Sequence, residues 1–262
     1  DRENYEKYWD DINPFIKFGC IKDQKFNEKM KDFIIYKNLE GKYVTLEDYL
    51  EAAKEKHENK VFYVTDEVQQ SQYINMFKAE GLDAVVLKHN IDQPFITNLE
   101  QSRDKDGIKF YRIDTDLADV FKEETTEDDT KTLEADAATL TELFKKALGR
   151  ENLTVKVEKL KNADVSSMIT LSEESRRMQD MMKMYAMPGM DMNMFGGEGE
   201  TLILNANNDL VQYILGHGDG EHTELICQQL YDLAVLAHKP LSADALTRFV
   251  ERSNKIMKLL TK

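Results

Sequence analysis

Cysteine is scarce in this chain. The 262 residues hold only Cys20 and Cys227, far apart and without a CxxC pair, which excludes a disulfide framework and a thiolate metal site and fits a reducing cytosol. Long apolar runs are missing as well: stretches such as "VFYVT" and "LDAVVL" are far too short to span a bilayer. The opening "DRENYEKYWDD" lacks the basic and then apolar pattern of a signal peptide. Basic charge is outweighed, with 35 Lys and Arg against 49 Asp and Glu and a formal net charge of -14. That balance repels phosphate backbones and anionic headgroups, so no nucleic acid and no membrane is expected as a partner. The expectation is a soluble, cytoplasmic protein. The chain starts without an initiator methionine, inside an amphipathic pattern (Tyr5, Tyr8, Trp9, Ile12), as a piece cut from something longer would.

Catalytic signatures are equally thin. No GxSxG or HExxH occurs, and neither cysteine has a histidine close in sequence. The first strand-to-helix turn, "VTDEVQ", carries Asp66 and Glu67 where a phosphate cradle needs glycines and free amides, and "FGGEGE" follows no expected strand and carries two glutamates. The loop "GHGDGEH" contributes His217, Asp219, Glu221 and His222, residue types that bind divalent metals. Its three glycines and the absence of helical His spacing read instead as a flexible connector. His57, His89 and His238 stand alone and are expected on the surface. Carboxylate pairs such as Asp10 and Asp11 follow from the acidic composition and carry little weight as general acid and base. No catalytic residue, metal or cofactor is assigned to this stretch.

What is present is a regular alternation of elements. "TLEDYLEAAKEK" reads as a helix with Thr45 as N-cap and Asp48 completing a capping box. "KVFYVT", "LDAVVLK" and "GIKFYRID" read as strands, separated by the helices "DEVQQSQYINMFKAEG" and "DQPFITNLEQ", which together imply a small parallel βαβ sheet. After Phe121 an acidic run without aromatics reads as a linker or a solvated helix start, and a domain boundary is expected there. The second half holds the helix "LTELFKKALG", alternating strands "LTVKVEKL" and "VSSMITLS", the strand "ETLILNAN", the short helix "DLVQYILG" and two closing helices. The fold class expected is α/β followed by α+β.

Methionine is concentrated where it is least expected. Eight of the twelve lie between Met178 and Met194, a stretch with no Leu, Ile or Val. At 100° per residue Met178, Met181, Met182 and Tyr185 share an arc of about 100°, and the helix should end near Met187, before Pro188 and Gly189. Such a face can pack into a core, or it can stay partly exposed as a soft surface for varied partners, to which the flexible thioether is better suited than to a unique core. The last helix carries Leu246, Phe249, Val250, Ser253, Ile256, Met257 and Leu260 at three-and-four spacing, with Glu251, Arg252 and Lys258 outside the seam. That seam, with Leu230 and Leu233 on the preceding helix, packs either on its own domain or on a second copy as a four-helix interface.

The order of segments resembles the ninety-kilodalton heat-shock chaperone family, most closely its bacterial members. The pieces that carry the likeness are "TLEDYL" before "VFYVT", "NID" after "AVVLK", and the closing "AVLAHKPLSADALTRFVERSNKIMKLL". The resemblance implies an ATP-driven homodimeric chaperone of three domains. In it, residues 1–121 would be the later part of the middle domain, 122–139 an acidic linker, and 140–262 a C-terminal dimerisation domain ending in a helical hairpin. The ATP and magnesium site, and the arginine that reaches the γ-phosphate, would lie before Asp1, so this stretch alone would not hydrolyse ATP. Unfolded or partly folded client proteins would meet the methionine helix, matched here by Met178, Met181, Met182, Met184 and Tyr185. The resemblance also implies a client-contacting Trp just after an "IDE"-like turn in bacterial relatives, whereas "IDQPF" has Pro94 at that position and leaves Phe95, next to it, as the substitute. The alternatives are a purely structural dimerisation module with the methionine helix as core, and an acidic enzyme with a metal at "GHGDGEH".

Overall fold

A computed structural model describes residues 1–115, 121–173, 175–178, 199–218 and 220–261, in two compact units, Asp1–Ile113 and Asp114–Lys262. The division falls a few residues before the boundary expected after Phe121.

The first unit opens with α1 (Arg2–Lys22), whose N-cap Asp1 accepts from the Asn4 amide. Pro14 lies inside this helix and has no N–H to offer the Asp10 carbonyl. The Asn13 side-chain amide fills that gap, donating to the carbonyls of Trp9 at 2.9 Å and Asp10 at 3.1 Å. The buried face of α1 is Trp9, Asn13, Lys17 and Cys20, a mixture that hydrophobic periodicity does not announce. α2 (Gln24–Met30) and a single 3-10 turn lead into the hairpin of β1 (Ile35–Asn38) and β2 (Tyr43–Thr45). Asn38 sets the turn, its Oδ1 accepting from the amides of Glu40 and Lys42, and Gly41 supplies the positive φ that closes it.

α3 (Leu46–His57) starts with the capping box Thr45 and Asp48. β3 (Lys60–Val64), α4 (Ser71–Ala79), β4 (Val85–Val86), α5 (Asp92–Ser102) and β5 (Lys109–Arg112) follow. The sheet order is β2-β1-β4-β3-β5, with β3 parallel to β4 and β5, and β1 antiparallel to β2 and β4. The sheet is therefore mixed, a parallel centre with an antiparallel hairpin that sequence reading did not supply. Asp92 ties α5 to α1: its Oδ1 takes a 2.5 Å bond from Lys17 Nζ, and its Oδ2 accepts from the His89 amide. Both side chains of this ion pair are almost fully buried.

The second unit is built on α6 (Glu127–Leu148), capped by Thr126 with Asp129 and closed by Gly149 at a φ of 62°. Most of the run 122–139 is thus helix, because Thr126 and Asp129 repeat the capping box that starts α3; the reading as a linker is corrected to a solvated helix start. β6 (Thr154–Glu158), β7 (Ser167–Leu171) and β8 (Glu200–Asn205) form a three-stranded sheet in the order β6-β8-β7, with β6 parallel and β7 antiparallel to β8. β6 alternates as expected, but every residue of β7 is buried. Ser167 tolerates this by donating to the Leu230 carbonyl at 2.8 Å. Buried Asn205 stitches the connections, accepting from the amides of Leu160 and Asn207 and donating to the carbonyls of Asn162 and Val165. α7 (Asp209–His217), α8 (Thr223–His238) and α9 (Ala243–Leu259) complete the unit. Its core gathers Leu140, Phe144, Leu202, Leu204, Val211, Ile214, Leu230 and Ala234.

Candidate protein-interaction site

α9 starts where Ser242 Oγ accepts from the Ala245 amide. Its attachment to α8 is polar. Arg252, only 9% exposed, donates from Nε to Gln229 Oε1 at 2.9 Å and from Nη2 to Asp232, while Gln229 Nε2 donates to Ser253 Oγ at 3.1 Å. Ser253 passes the chain of bonds on to the Phe249 carbonyl. The arginine expected outside the seam is the residue that docks the helix, because its fork matches a glutamine and an aspartate presented by α8.

With the polar strut turned inward, the apolar residues of α9 turn out. Leu246 is 46%, Val250 50%, Met257 55% and Leu260 83% exposed. On a helical projection these four lie within about 80° of each other, next to the arc of Phe249, Arg252 and Ile256, from which Arg252 reaches α8. Phe249, Ser253 and Ile256 are half-buried, and Leu233 on α8 is exposed. Leu230 does not share this surface: it is 1% exposed, inside the core with its carbonyl bonded to Ser167, and is removed from the expected interface.

The methionine segment is reached only at its start. Residues 175–178 are helical, and Met178 is 50% exposed. Glu173 anchors the turn, accepting from both Arg176 and Arg177, and Arg176 is buried. Met181, Met182, Met184 and Tyr185 lie outside the described residues. Phe95 is 1% exposed, and Lys17 Nζ sits 5.7 Å from its ring centre. The substitute client contact is therefore corrected to a core residue, since α5 turns Phe95 toward the sheet.

The remaining chemistry is muted. Burial pushes the Cys227 thiol up to about 12 and raises that of Cys20, so neither is a thiolate nucleophile near neutral pH. At the β3–α4 turn Asp66 Oδ1 already accepts from the amides of Val68 and Gln69, and Gln70 Oε1 from those of Thr65 and Asp66. These amides do not fit a nucleotide phosphate. His217 stacks on Tyr213 with ring centres 3.9 Å apart, and Asp219 lies outside the described residues. Among the described residues no group of three or more His, Cys, Asp or Glu is arranged to hold a metal, and no helix is long and apolar enough to cross a membrane. His238 is not a surface residue: its ring is buried with Nδ1 3.0 Å from Asp114 Oδ2.

The family model "Hsp90 protein" matches residues 1–262. The chain is 28% identical over 234 residues to the chaperone protein HtpG of Porphyromonas gingivalis, covering 86% of this chain and 33% of that protein. It is also 28% identical over 233 residues to that of Bacteroides fragilis and 26% identical over 271 residues to that of Idiomarina loihiensis, the latter covering 98% of this chain and 40% of its relative. The chain belongs to the Hsp90 family of heat-shock chaperones. It spans about a third of the length of the first curated relatives it matches.

Proposed function

We propose that this chain is the later part of the middle domain and the C-terminal dimerisation domain of an ATP-dependent, cytoplasmic chaperone, working as a homodimer on unfolded or partly folded clients. The carrying observation is the orientation of α9: a helix held to its own chain by Arg252 and Ser253, with Leu246, Val250, Met257 and Leu260 facing away from it. A second copy related by two-fold symmetry would cover that face with the same residues and form a four-helix interface. The ATPase, with its magnesium, belongs to a part of the protein outside this chain. Client binding falls to the methionine segment, which is supported by the exposure of Met178 and by the suitability of flexible thioethers for varied apolar partners. Met178→Ser combined with Met182→Ser is expected to weaken binding of an unfolded model client and leave the molar mass unchanged. Undiminished client affinity in that variant would refute the client reading and favour the methionines as core.

A further inference from the structure

An open cavity of about 630 Å³ lies in the second unit, where the end of α6 meets the first residues of β6 and β8, lined by Arg150, Glu151, Leu153, Thr154, Glu200 and Tyr231 among others. Its volume falls within the range of about 300–1,000 Å³ that ligand pockets occupy. One residue of its wall is held at both ends. The Arg150 amide donates to the Lys145 carbonyl at 3.2 Å, in the turn that Gly149 closes after α6. Its guanidinium lies over the ring of Tyr231 on α8, 5.0 Å from the ring centre, and Nη1 donates to the Tyr231 hydroxyl. The fold therefore orients the fork without using it up, since Nε and Nη2 have no acceptor among the described residues.

Charge defines what fits that fork. Arg103, Arg176 and Arg252 each face a carboxylate of their own chain, and among the described residues Arg150 does not. Glu200, in the same lining, is paired with Lys239, and Glu151 is exposed. A guanidinium edge with two parallel N–H groups matches a carboxylate bidentately. With Glu151 and Glu200 also in the lining, a singly charged carboxylate is repelled less than a dianionic phosphate. Leu153 is half-buried and, with Leu202 and Ile169 of the sheet, makes the remaining wall apolar, so the body attached to the carboxylate is apolar too.

We propose that this cavity binds a carboxylate with an apolar body, its oxygens on Nε and Nη2 of Arg150 and its hydrocarbon against Leu153. The inference goes beyond the dimer and client reading and uses none of the residues on which that reading rests. In the isotope-labelled whole chain the Arg150 Nε–H resonance, identified by its loss in Arg150→Gln, reports on the fork directly. N-acetyl-leucine is expected to shift it saturably. N-acetyl-leucinamide, the same body without the charge, should not, and acetate, the charge without the body, should need at least about tenfold more. A pentapeptide ending in a free leucine carboxylate separates the two sources: a shift admits the chain ends of other proteins, and no shift restricts the site to small acids. By calorimetry, Arg150→Lys, which keeps the charge and loses the fork, should weaken N-acetyl-leucine about tenfold. Glu151→Gln removes a repelling carboxylate and should tighten it about threefold, a gain that damage to the fold cannot produce. No saturable shift with N-acetyl-leucine, an equal response to its amide or to acetate, or an affinity unchanged in either variant overturns the proposal and leaves Arg150 as a residue packed on Tyr231.

Discussion

Removing the guanidinium of Arg252 tests why α9 presents its apolar face outward. In the native hairpin this side chain is 9% exposed and satisfies Gln229 and Asp232, whose carboxylate is itself 15% exposed. Arg252→Ala strips both acceptors of their donor and leaves Asp232 largely desolvated without a counter-charge. Breaking a fully buried pair costs about 3–5 kcal/mol, and the residual solvent around Asp232 reduces that to about 2–3 kcal/mol. For a unit of this size the thermal midpoint should fall by about 4–12 °C. Because this strut ties α9 to α8, its amides should lose hydrogen-exchange protection well before those of α6 and α8. Replacing both partners by apolar residues, Arg252→Met with Asp232→Leu, should restore most of the stability, since no charge is then left buried. The assays are differential scanning calorimetry and hydrogen exchange read by mass spectrometry. A single Arg252→Ala variant within about 0.5 kcal/mol of the parent, the range of an ordinary surface change, would refute the reasoning.

Further expectations follow from the same structure. Val250→Asp places a charge twice in a two-fold interface; at about 1.4 kcal/mol or more per copy the dimer should weaken about a hundredfold, seen as a halved mass in sedimentation velocity at concentrations where the parent is paired. Asp92→Ala leaves the Lys17 ammonium buried and unpaired, and should cost the first unit about 3–5 kcal/mol in urea denaturation; a loss under about 1 kcal/mol would mean that water reaches Lys17. His57, beside the rings of Tyr49 and Phe62, has its pKa lowered by burial. The unfolded chain therefore takes up a proton near pH 6.5 that the native state resists, so stability is complete above that pH and declines as the pH falls toward the native pKa. His57→Phe should flatten the difference between urea midpoints at about pH 7.5 and about pH 5.5, and an unchanged slope would contradict the assignment.

The parts of the fold that were legible are those in which one local signal decides the outcome. Thr45 with Asp48, and the β-branched and aromatic run in "KVFYVT", name α3 and β3 without any knowledge of their neighbours. The same signal at Thr126 and Asp129 was available for α6 and was outweighed by the acidic composition around it, although carboxylates in a first helical turn favour the helix dipole. The β1–β2 hairpin was not legible, because its turn depends on Asn38 accepting two amides and not on a two-residue Asn-Gly or Asp-Gly loop. Polar residues at buried positions were not legible for a common reason. Lys17, Asn13 and Arg252 count as outward in any hydrophobic pattern, yet each is buried by a partner distant in sequence or by a helix defect nearby. Phe95 and Leu230 erred in the opposite sense, since an apolar residue on a helix says nothing about which side the chain itself will cover. The exposed stripe of α9 was visible as a seam; that it faces outward is decided by Arg252, which the seam excluded.

The most direct test of the central claim is the molar mass of the unaltered chain by sedimentation equilibrium over a wide dilution series. The interface through Leu246, Val250, Met257 and Leu260 predicts a mass twice the 30.4 kDa of one chain, persisting to low concentration. A mass of 30.4 kDa at every concentration would contradict it, and with it the reading of α9 as the contact between two copies.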